Sequence, residues 1–247
     1  SPRIERDVRG MRCNFAKFLV AHAEAYGIRS VSVSGYNPRT GQGVRFQDID
    51  YSRYDLIITN PPFSIFGEFI DVLMKNGKQF LVIGPLTAIS YKNIFRYIQT
   101  NRMWLGYAKQ LSGFVLSDGT ALMAKCPEGS VARACKWYTN LDVSYRHDEL
   151  ILTELYEPEK YPSYFNYDAI EVSKVKNIPD DWTGKMGVPI SFLSIYNPQQ
   201  FEIIGQGQYV EKTRPCKDNC LWIGEDEAHL KKPFDRIIIR RRPTEEP

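Results

Sequence analysis

The pattern of hydrophobic and polar positions predicts alternating strands and helices over roughly the first hundred residues. Two short apolar runs, "YDLIIT" (54–59) and "KQFLVIG" (78–84), are typical of strands buried on both faces of a parallel sheet. Serines alternate with Val31 and Val33 in "IRSVSVSG", which also predicts a strand, as does "RMWLGY". Apolar residues at helical spacing predict helices in "NFAKFLVAHAEAYG", "SIFGEFIDVLMKNG" and "SYKNIFRYIQTN", whereas "YNPRTGQG" is typical of a loop.

This order of elements favours an α/β fold in which right-handed crossovers build a parallel sheet with helices on both faces. From about residue 107 the pattern becomes irregular and rich in Gly, Pro, Tyr and Trp. The strand candidates of this second region are short, and they are "CKWYTNL", "ELILTEL", "FEIIG" and "RIIIRRR". We therefore expect one regular α/β part followed by an irregular part.

Composition is that of an ordinary globular chain of 247 residues, with 43% hydrophobic and 25% charged residues. No apolar run reaches the roughly 18 residues of a membrane span, and residues 1–12 lack the apolar segment of a signal peptide. Five widely spaced cysteines fit reduced thiols in a cytoplasmic protein. A four-thiolate zinc site is the alternative for Cys126, Cys135, Cys216 and Cys220, but their spacing is not that of a common zinc knuckle, so no metal is expected.

Charge is unevenly placed along the chain. The net charge is +3 overall, but it is +5 over Lys92–Arg146, −6 over Asp148–Glu202 and +5 over Lys231–Arg242. Two basic segments are compatible with a polyanion partner such as nucleic acid, although ordinary solvated charge explains them equally well.

The segment Asn60-Pro61-Pro62-Phe63 follows the first buried strand, at the strand end where ligands bind in open parallel sheets. Each proline fixes its own backbone and restricts the residue before it. The resulting rigid turn offers two acceptors, the Asn60 side-chain carbonyl and the Pro61 backbone carbonyl. Two fixed acceptors match the two donors of an –NH2 group, and Phe63 adds a flat surface on which a base can stack.

Such a pair of acceptors has a chemical use beyond binding. The exocyclic amine of adenine is a poor nucleophile because its lone pair is delocalised into the ring. Two hydrogen bonds to fixed acceptors favour a tetrahedral nitrogen with a free lone pair. A sulfonium methyl group is then a sufficient electrophile, and neither a metal nor a strong proton acceptor is needed. The adenine must leave the duplex to reach such a site. The plain alternative is that these four residues only form a turn after a strand.

The chain resembles the EcoRI-type adenine-specific methylases, which are S-adenosylmethionine-dependent adenine-N6 DNA methyltransferases. The resemblance covers most of residues 12–242 and is carried by blocks in family order: "YDLIITNPPFSIFGEFI", "FLVIGPLTAISYKNIF", "MWLGY", "WYTNLDVSYRHDELIL", "YPSYFNYDAI" and "GVPISFLSIYNPQQFEIIG". It implies a Rossmann-like class I methyltransferase sheet in residues 1–106. Residues 107–247 then form a target-recognition region that completes the sheet.

The resemblance also implies roles for single residues. Asn60, Pro61, Pro62 and Phe63 match the catalytic and target-adenine motif. In "RFQDID", Asp48 matches the carboxylate that the family places near the cofactor adenine amine. Asp50 is the alternative, and it is also possible to interpret the segment as an ordinary polar turn. Further cofactor contacts are implied for Asn14, Phe15 and Asn60.

Contacts with DNA are expected from both sides of residue 107. Basic Arg133 and Lys136 are candidates for phosphate binding, while the neighbouring Trp137 and Tyr138 either stack on bases or pack in the core. After the third predicted strand, the residues that could line a DNA cleft are Tyr91, Lys92 and Arg96.

The sequence departs from the family at its start. Residues before 12 contain neither an aspartate-proline nor a glycine-rich turn, and "VSVSGYN" lacks a ribose-binding carboxylate. We expect missing segments, with a join near Gly10 to Arg12. The expected activity is site-specific methylation of adenine N6 in double-stranded DNA by a DNA-associated enzyme of bacterial or viral origin. A restriction endonuclease of the same restriction-modification system is a possible partner that does not bind stably to the protein. The alternatives are RNA or protein-glutamine methylation, or a non-catalytic DNA-binding module with a degenerate cofactor site.

Overall fold

The computed structural model describes residues 3–4, 14–37, 40–107, 113–115, 120–123, 134–216, 218–224 and 227–243. The chain forms two compact units, and each is interrupted in sequence by a segment of the other. The first unit comprises Ser1–Ala88 and Lys109–Thr139, and the second comprises Ile89–Ala108 and Asn140–Pro247.

The regular elements are short and mixed in type, so the fold is mixed α/β. The α-helices are α1 (Asn14–Ala21), α2 (Phe66–Lys75) and α3 (Lys92–Gln99). The strands are β1 (Arg3–Ile4), β2 (Ser30–Val31), β3 (Tyr36–Asn37), β4 (Gln42–Gly43), β5 (Leu56–Thr59), β6 (Gln79–Pro85), β7 (Trp104–Leu105), β8 (Gly113–Val115), β9 (Ala121–Met123), β10 (Cys135–Thr139), β11 (Ile170–Glu171), β12 (Met186–Pro189), β13 (Phe201–Gln206) and β14 (Arg236–Arg241).

In the first unit β6 lies between β5 and β10. The β5–β6 pair is parallel, as the sequence predicted, and the register places Thr59 beside Val82. The β10–β6 pair is antiparallel, with Trp137 beside Ile83. The sheet is therefore mixed rather than parallel, because β10 returns along β6 in the opposite direction.

Helices α1 and α2 contact opposite faces of this sheet. The ring of Phe66, the first residue of α2, lies 4.9 Å from that of Tyr138, whereas Phe15 of α1 lies 5.6 Å from Trp137. Neighbouring residues of a strand point to opposite faces, so Tyr138 faces α2 and Trp137 faces α1. Both aromatic side chains of β10 are thus used for packing within the unit.

The second unit contains a mixed sheet in the order β11-β12-β14-β13. The β11–β12 pair is parallel, and β14 runs antiparallel to both of its neighbours. Ile237, Ile238 and Ile239 of β14 are fully buried, which is why this continuous apolar run was recognisable as a strand. Helix α3 lies against this sheet, with Gln99 Nε2 donating to the Ile204 carbonyl at 2.7 Å.

Three local predictions differ from the structure. The segment "YNPRTGQG" contains the short antiparallel pair β3–β4 rather than only a loop. The segment "ELILTEL" is not a strand; the Gln200 side chain binds both backbone groups of Leu150, and Glu154 forms an isolated bridge with Pro179. Near the start, β1 pairs in parallel with β2, although the sequence analysis predicted no strand there.

Candidate active site

The segment Asn60–Phe63 begins immediately after β5, at the carboxyl end of the parallel β5–β6 pair. Asn60 is exposed and Pro61 is buried. Among the described residues, none donates a hydrogen bond to the Asn60 side chain or to the Pro61 carbonyl, whereas the Pro62 carbonyl accepts from the Ile65 N–H at 3.1 Å. The two acceptors identified from sequence are therefore not engaged by described parts of the protein.

Beyond the prolines, the chain passes through a single 3-10 turn, Phe63–Ile65, directly into α2. The Phe63 side chain is partly buried. The next turn is seated on β6 by a close approach: a Cβ built on Gly84 would lie 2.2 Å from Cε2 of the Phe66 ring. Gly84 was not singled out from sequence. Its position at the end of an apolar strand, directly before Pro85, was nevertheless a usable signal.

Asp48 ends a 3-10 turn, Phe46–Asp48, that is docked onto the first turns of α2. Phe46 contacts Phe69 edge-on at 5.4 Å, and Gln47 Nε2 donates to Glu68 Oε1 at 2.9 Å. Because α2 begins just after Phe63–Ile65, these contacts place Asp48 near the N-terminal end of α2, close to the motif. Its carboxylate is exposed and accepts no hydrogen bond from the described part of the chain.

Asp50, the alternative carboxylate, is used locally. It caps the 3-10 turn Tyr51–Arg53, accepting from the Ser52 N–H at 3.1 Å and from the Ser52 hydroxyl at 2.5 Å. The hydrogen bond from the Ser52 hydroxyl is the main reason why the Asp50 pKa is lowered. Of the two, Asp48 is the carboxylate that accepts no hydrogen bond from the described residues, whereas Asp50 has one oxygen engaged by Ser52.

Asn14 and Phe15 lie at the start of α1, and Asn14 is exposed. Phe15 is half-buried against Trp137. Asn60, one residue beyond Thr59, is level with Ile83 and hence with Trp137 in the register of the three strands. Two strand spacings separate these positions by about 10 Å. The register thus brings the start of α1 to the level of the motif, on the face opposite α2.

In the second unit, Tyr91 immediately precedes α3, Lys92 is its first residue and Arg96 lies one turn further along. All three are exposed, and Lys92 and Arg96 share a helix face because they are four residues apart. The opposite face buries Ile94, Phe95 and Ile98, as the amphipathic pattern predicted. The exposed set is compatible with contacts to a polyanion.

The second basic group is only partly described. Lys136 is partly buried and lies beside Gly84 in the β10–β6 register, on the α2 face. Arg133 lies outside the described residues. Trp137 and Tyr138 pack against Phe15 and Phe66, and the Tyr138 hydroxyl donates to the Pro85 carbonyl at 2.8 Å. Packing, rather than base stacking, accounts for these two aromatic side chains.

Within the described ranges, His, Cys, Asp and Glu side chains form no group of three or more that could hold a metal ion. Burial also raises the pKa of the Cys135 thiol, which opposes formation of a metal-binding thiolate. None of the helices in these ranges has an apolar run long enough to cross a bilayer.

Comparison with known proteins identifies the family of this chain. The family described as "Adenine-specific methyltransferase EcoRI" matches residues 49–242, which include Asn60–Phe63. The chain belongs to this EcoRI methylase family. Asp48 lies one residue before the matched range, and Asn14 and Phe15 lie outside it.

Curated relatives agree with the family match. The chain is 36% identical to the Type II methyltransferase M.EcoRI of Escherichia coli, over 96% of this chain and 79% of the relative. It is 32% identical to M.MpnI of Mycoplasma pneumoniae, over 79% of this chain and 72% of the relative. Identity to M.MgeORF184P of Mycoplasma genitalium is 42%, over 61% of this chain and 51% of the relative. No solved structure gives a significant match.

The alignment with M.EcoRI extends over 278 residues, which is longer than the 247 residues of this EcoRI methylase family member. The Escherichia coli protein therefore carries residues inside the aligned region that have no counterpart here. The stretch Gly10–Arg12, where the sequence analysis placed a join, lies outside the described part of the structure.

Proposed function

We propose that this EcoRI methylase family member transfers a methyl group from S-adenosylmethionine to N6 of a flipped-out adenine at a specific site in duplex DNA. The observation that carries the proposal is a pair of acceptors at the carboxyl end of β5, the Asn60 side chain and the Pro61 carbonyl, to which no described residue donates a hydrogen bond. A turn that only linked a strand to a helix would not need two rigid acceptors that the described residues leave without a donor.

The residues near the motif fit the cofactor chemically. An adenosine group offers an exocyclic amine. Asp48 offers an exposed carboxylate near the N-terminal end of α2, which is the end that follows the motif. We assign cofactor contacts to Asp48, Asn14, Phe15 and Asn60. When bound, S-adenosylmethionine supplies a sulfonium-activated methyl group.

The protein's own part in the reaction is positioning and electrostatic stabilisation. Asn60 and Pro61 each accept one N–H of the adenine amine, which favours a tetrahedral nitrogen whose lone pair points away from both acceptors. Phe63 stacks on the flipped base. As positive charge develops on N6, the two carbonyl dipoles stabilise it, and the excess proton then passes to solvent. The two prolines keep the acceptors in place, so little reorganisation is needed during the reaction.

The finer fold and domain assignments follow the same proposal. The β5–α2–β6 segment is the catalytic core of a Rossmann-like class I methyltransferase, within residues 1–106. Residues 107–247 supply target recognition and complete the sheet. DNA phosphates are bound by the basic side chains, with Tyr91 beside them; the set is Tyr91, Lys92, Arg96, Arg133 and Lys136. A cognate restriction endonuclease shares the DNA site without binding stably to this protein.

Replacing Asn60 by Ala tests the proposal. Loss of one preorganised hydrogen-bond partner of a developing charge lowers kcat by about 10²- to 10³-fold. Asn76→Ala is the matched control, because Asn76 is exposed at the opposite end of α2, where its side chain donates to the Val72 carbonyl. Methylated positions are first mapped by sequencing DNA from cells that express the protein, and turnover is then measured on a duplex with the mapped site.

The full-length protein should bind S-adenosylmethionine in calorimetry, and Asn60→Ala should retain DNA binding. Normal turnover of Asn60→Ala would contradict the role of the acceptor pair. A wild-type protein that neither binds the cofactor nor methylates DNA would contradict the proposed function as a whole.

A further inference from the structure

Lys136 is the second residue of β10 and belongs to the first unit, which also contains Asn60–Phe63. Its side chain is partly buried. Within the residues that the structure describes, no atom accepts a hydrogen bond from its ammonium group and no carboxylate forms an ion pair with it. Burial removes part of the hydration of the ammonium group, and an acceptor from outside the described residues would replace it.

The strand β10 begins at the sheet edge where β5 and β6 end. Its first residue, Cys135, pairs with Pro85, the last residue of β6, because the two strands are antiparallel. Continuing the β5–β6 register by two residues past the end of β5 places Pro61 level with Gly84 and hence with Lys136. Two strand spacings, about 10 Å, therefore separate the backbone of Lys136 from the turn that carries the two acceptors.

The start of β10 is firmly attached to the end of β6. The Leu86 N–H donates to the Ala134 carbonyl at 2.6 Å, one position beyond the paired residues. The Tyr138 hydroxyl donates to the Pro85 carbonyl at 2.8 Å. Lys136 is two residues from Tyr138, so both side chains project from the face against which α2 packs. The backbone of Lys136 thus has a fixed position at the sheet edge that carries the motif.

The distance from the turn suits the phosphate of a nucleotide whose base is bound there. A flipped adenine remains joined through its sugar to the DNA backbone. A cation for that phosphate must therefore lie about one nucleoside length from the acceptors of the amine, and not beside them. An ammonium group beside N6 would also oppose the positive charge that develops there during methyl transfer. The five bonds of the Lys136 side chain give it a reach of about 6 Å, which brings its ammonium group to such a phosphate.

We propose that Lys136 binds the 5′ phosphate of the flipped adenosine and holds that nucleotide within reach of Asn60 and Pro61. The inference rests on the proposed function and makes it more specific, because it assigns Lys136 to one phosphate and not to the DNA backbone in general. A partly buried cation is screened less by water and salt than an exposed one, so it attracts a phosphate more strongly. The contact forms when the adenine enters the site, and it therefore favours the flipped nucleotide over the stacked one.

The first test uses full-length wild-type protein and three duplexes. The first duplex contains the mapped methylation site without modification. In the second, a neutral methylphosphonate replaces the 5′ phosphate of the target adenosine, and in the third the same replacement is made one helical turn outside the site. On the second duplex kcat/KM should fall by roughly 10- to 100-fold, the loss expected for one hydrogen bond between charged groups. On the third it should fall by less than about threefold, because screening weakens the effect of distant charges.

Variants of Lys136 identify the partner of that phosphate. Lys136→Met keeps an apolar stem without the charge, and it should lower kcat/KM on the unmodified duplex by roughly 10- to 100-fold. On the 5′ methylphosphonate duplex it should differ from wild type by less than about threefold, because the contact is already absent there. Lys136→Arg keeps the charge and should stay within about fivefold of wild type on the unmodified duplex.

Lys75→Met is the matched control, because Lys75 is an exposed lysine of the same unit in the last turn of α2. It should behave as wild type on all three duplexes. Circular dichroism and urea denaturation of each variant show whether it is folded.

The outcomes separate this inference from the proposed function. If the losses caused by Lys136→Met and by the 5′ methylphosphonate multiply, Lys136 does not bind that phosphate and the inference is wrong. If wild-type protein has the same kcat/KM on the second and third duplexes, the inference is overturned whether or not Lys136→Met folds. Methylation of the unmodified duplex leaves the proposed function intact in both cases. If the wild-type protein transfers no methyl group to DNA, the proposed function fails and this inference fails with it.

Discussion

Gly84→Ala perturbs the contact that holds the start of α2, directly after the Asn60–Phe63 turn, against the sheet. Gly84 lies near the end of β6, where the ring of Phe66 approaches it from the first residue of α2. An added Cβ would lie 2.2, 2.4 and 2.8 Å from three ring carbons. Ordinary carbon–carbon contacts need about 3.5–4.0 Å, so the ring must move by more than about 1 Å.

The size of the effect follows from the lack of free space around that ring. Phe66 is fully buried, and its other neighbour Tyr138 is fully buried as well. Overpacking a buried site of this kind costs about 1–3 kcal/mol, and this site lies at the upper end because the obstacle is a rigid ring. We expect the free energy of unfolding to fall by about 3 kcal/mol. A movement of about 1 Å near the motif also lowers kcat by roughly 100-fold.

Urea denaturation followed by circular dichroism measures the stability, and turnover on the mapped DNA site measures the catalytic effect. Gly35→Ala is the matched control, because a Cβ there meets nothing within 4 Å. It should change stability by less than about 0.5 kcal/mol. Shrinking the ring with Phe66→Leu should make Gly84→Ala less harmful, which a double-mutant cycle detects. A Gly84→Ala protein as stable as Gly35→Ala would refute the argument.

Two further predictions concern charged groups of the second unit. Glu171→Gln should lower the free energy of unfolding, measured by urea denaturation, by about 3–5 kcal/mol, because it leaves the buried charge of Arg236 unpaired. Glu202→Gln breaks an exposed pair and should lower it by less than about 1 kcal/mol. Equal losses would contradict the reasoning. The hydrogen bond from Lys232 holds the pKa of Asp218 at about 2, below its usual value of about 3.9. The stability that it contributes should be fully present above pH 4 and lost between pH 4 and pH 2, so the difference in urea midpoint between wild type and Asp218→Asn should shrink over that interval and not remain constant.

Sequence reasoning succeeded where the signal is local. The helical spacing in α2 predicted a buried face, and Phe66, Phe69, Ile70 and Leu73 are all buried. The apolar run of β5 predicted a strand, and the β5–β6 pair is parallel. Burial of β5 on both faces was wrong, because β5 is an edge strand and Leu56 is exposed. Both signals depend only on neighbours within about one helical turn or one strand, which the sequence displays directly.

It failed where an outcome depends on distant residues. The apolar pattern of β10 predicts a strand but carries no information on direction, and β10 pairs antiparallel with a strand some fifty residues earlier. The segment containing Ile151 and Leu155 has a strand-like pattern, but both side chains are exposed. The backbone at Leu150 is hydrogen-bonded by the amide of the distant Gln200 instead of by a neighbouring strand. The buried pair of Arg236 with Glu171 likewise joins residues 65 positions apart, which no local pattern displays.

The candidate site depends on two kinds of restraint. Pro61 and Pro62 fix the local shape of the turn, but they do not fix its position relative to the sheet. That position is set by α2, whose first residue, Phe66, is seated against Gly84.

The same end of α2 also holds the segment that carries Asp48, through the Phe46–Phe69 and Gln47–Glu68 contacts. The N-terminal end of α2 thus positions both the acceptors proposed for the adenine amine and the carboxylate proposed for the cofactor. A change that displaces this end, such as Gly84→Ala, should raise the KM for S-adenosylmethionine and lower kcat together. Removal of an acceptor alone, as in Asn60→Ala, should act mainly on kcat, because the position of Asp48 does not depend on that side chain.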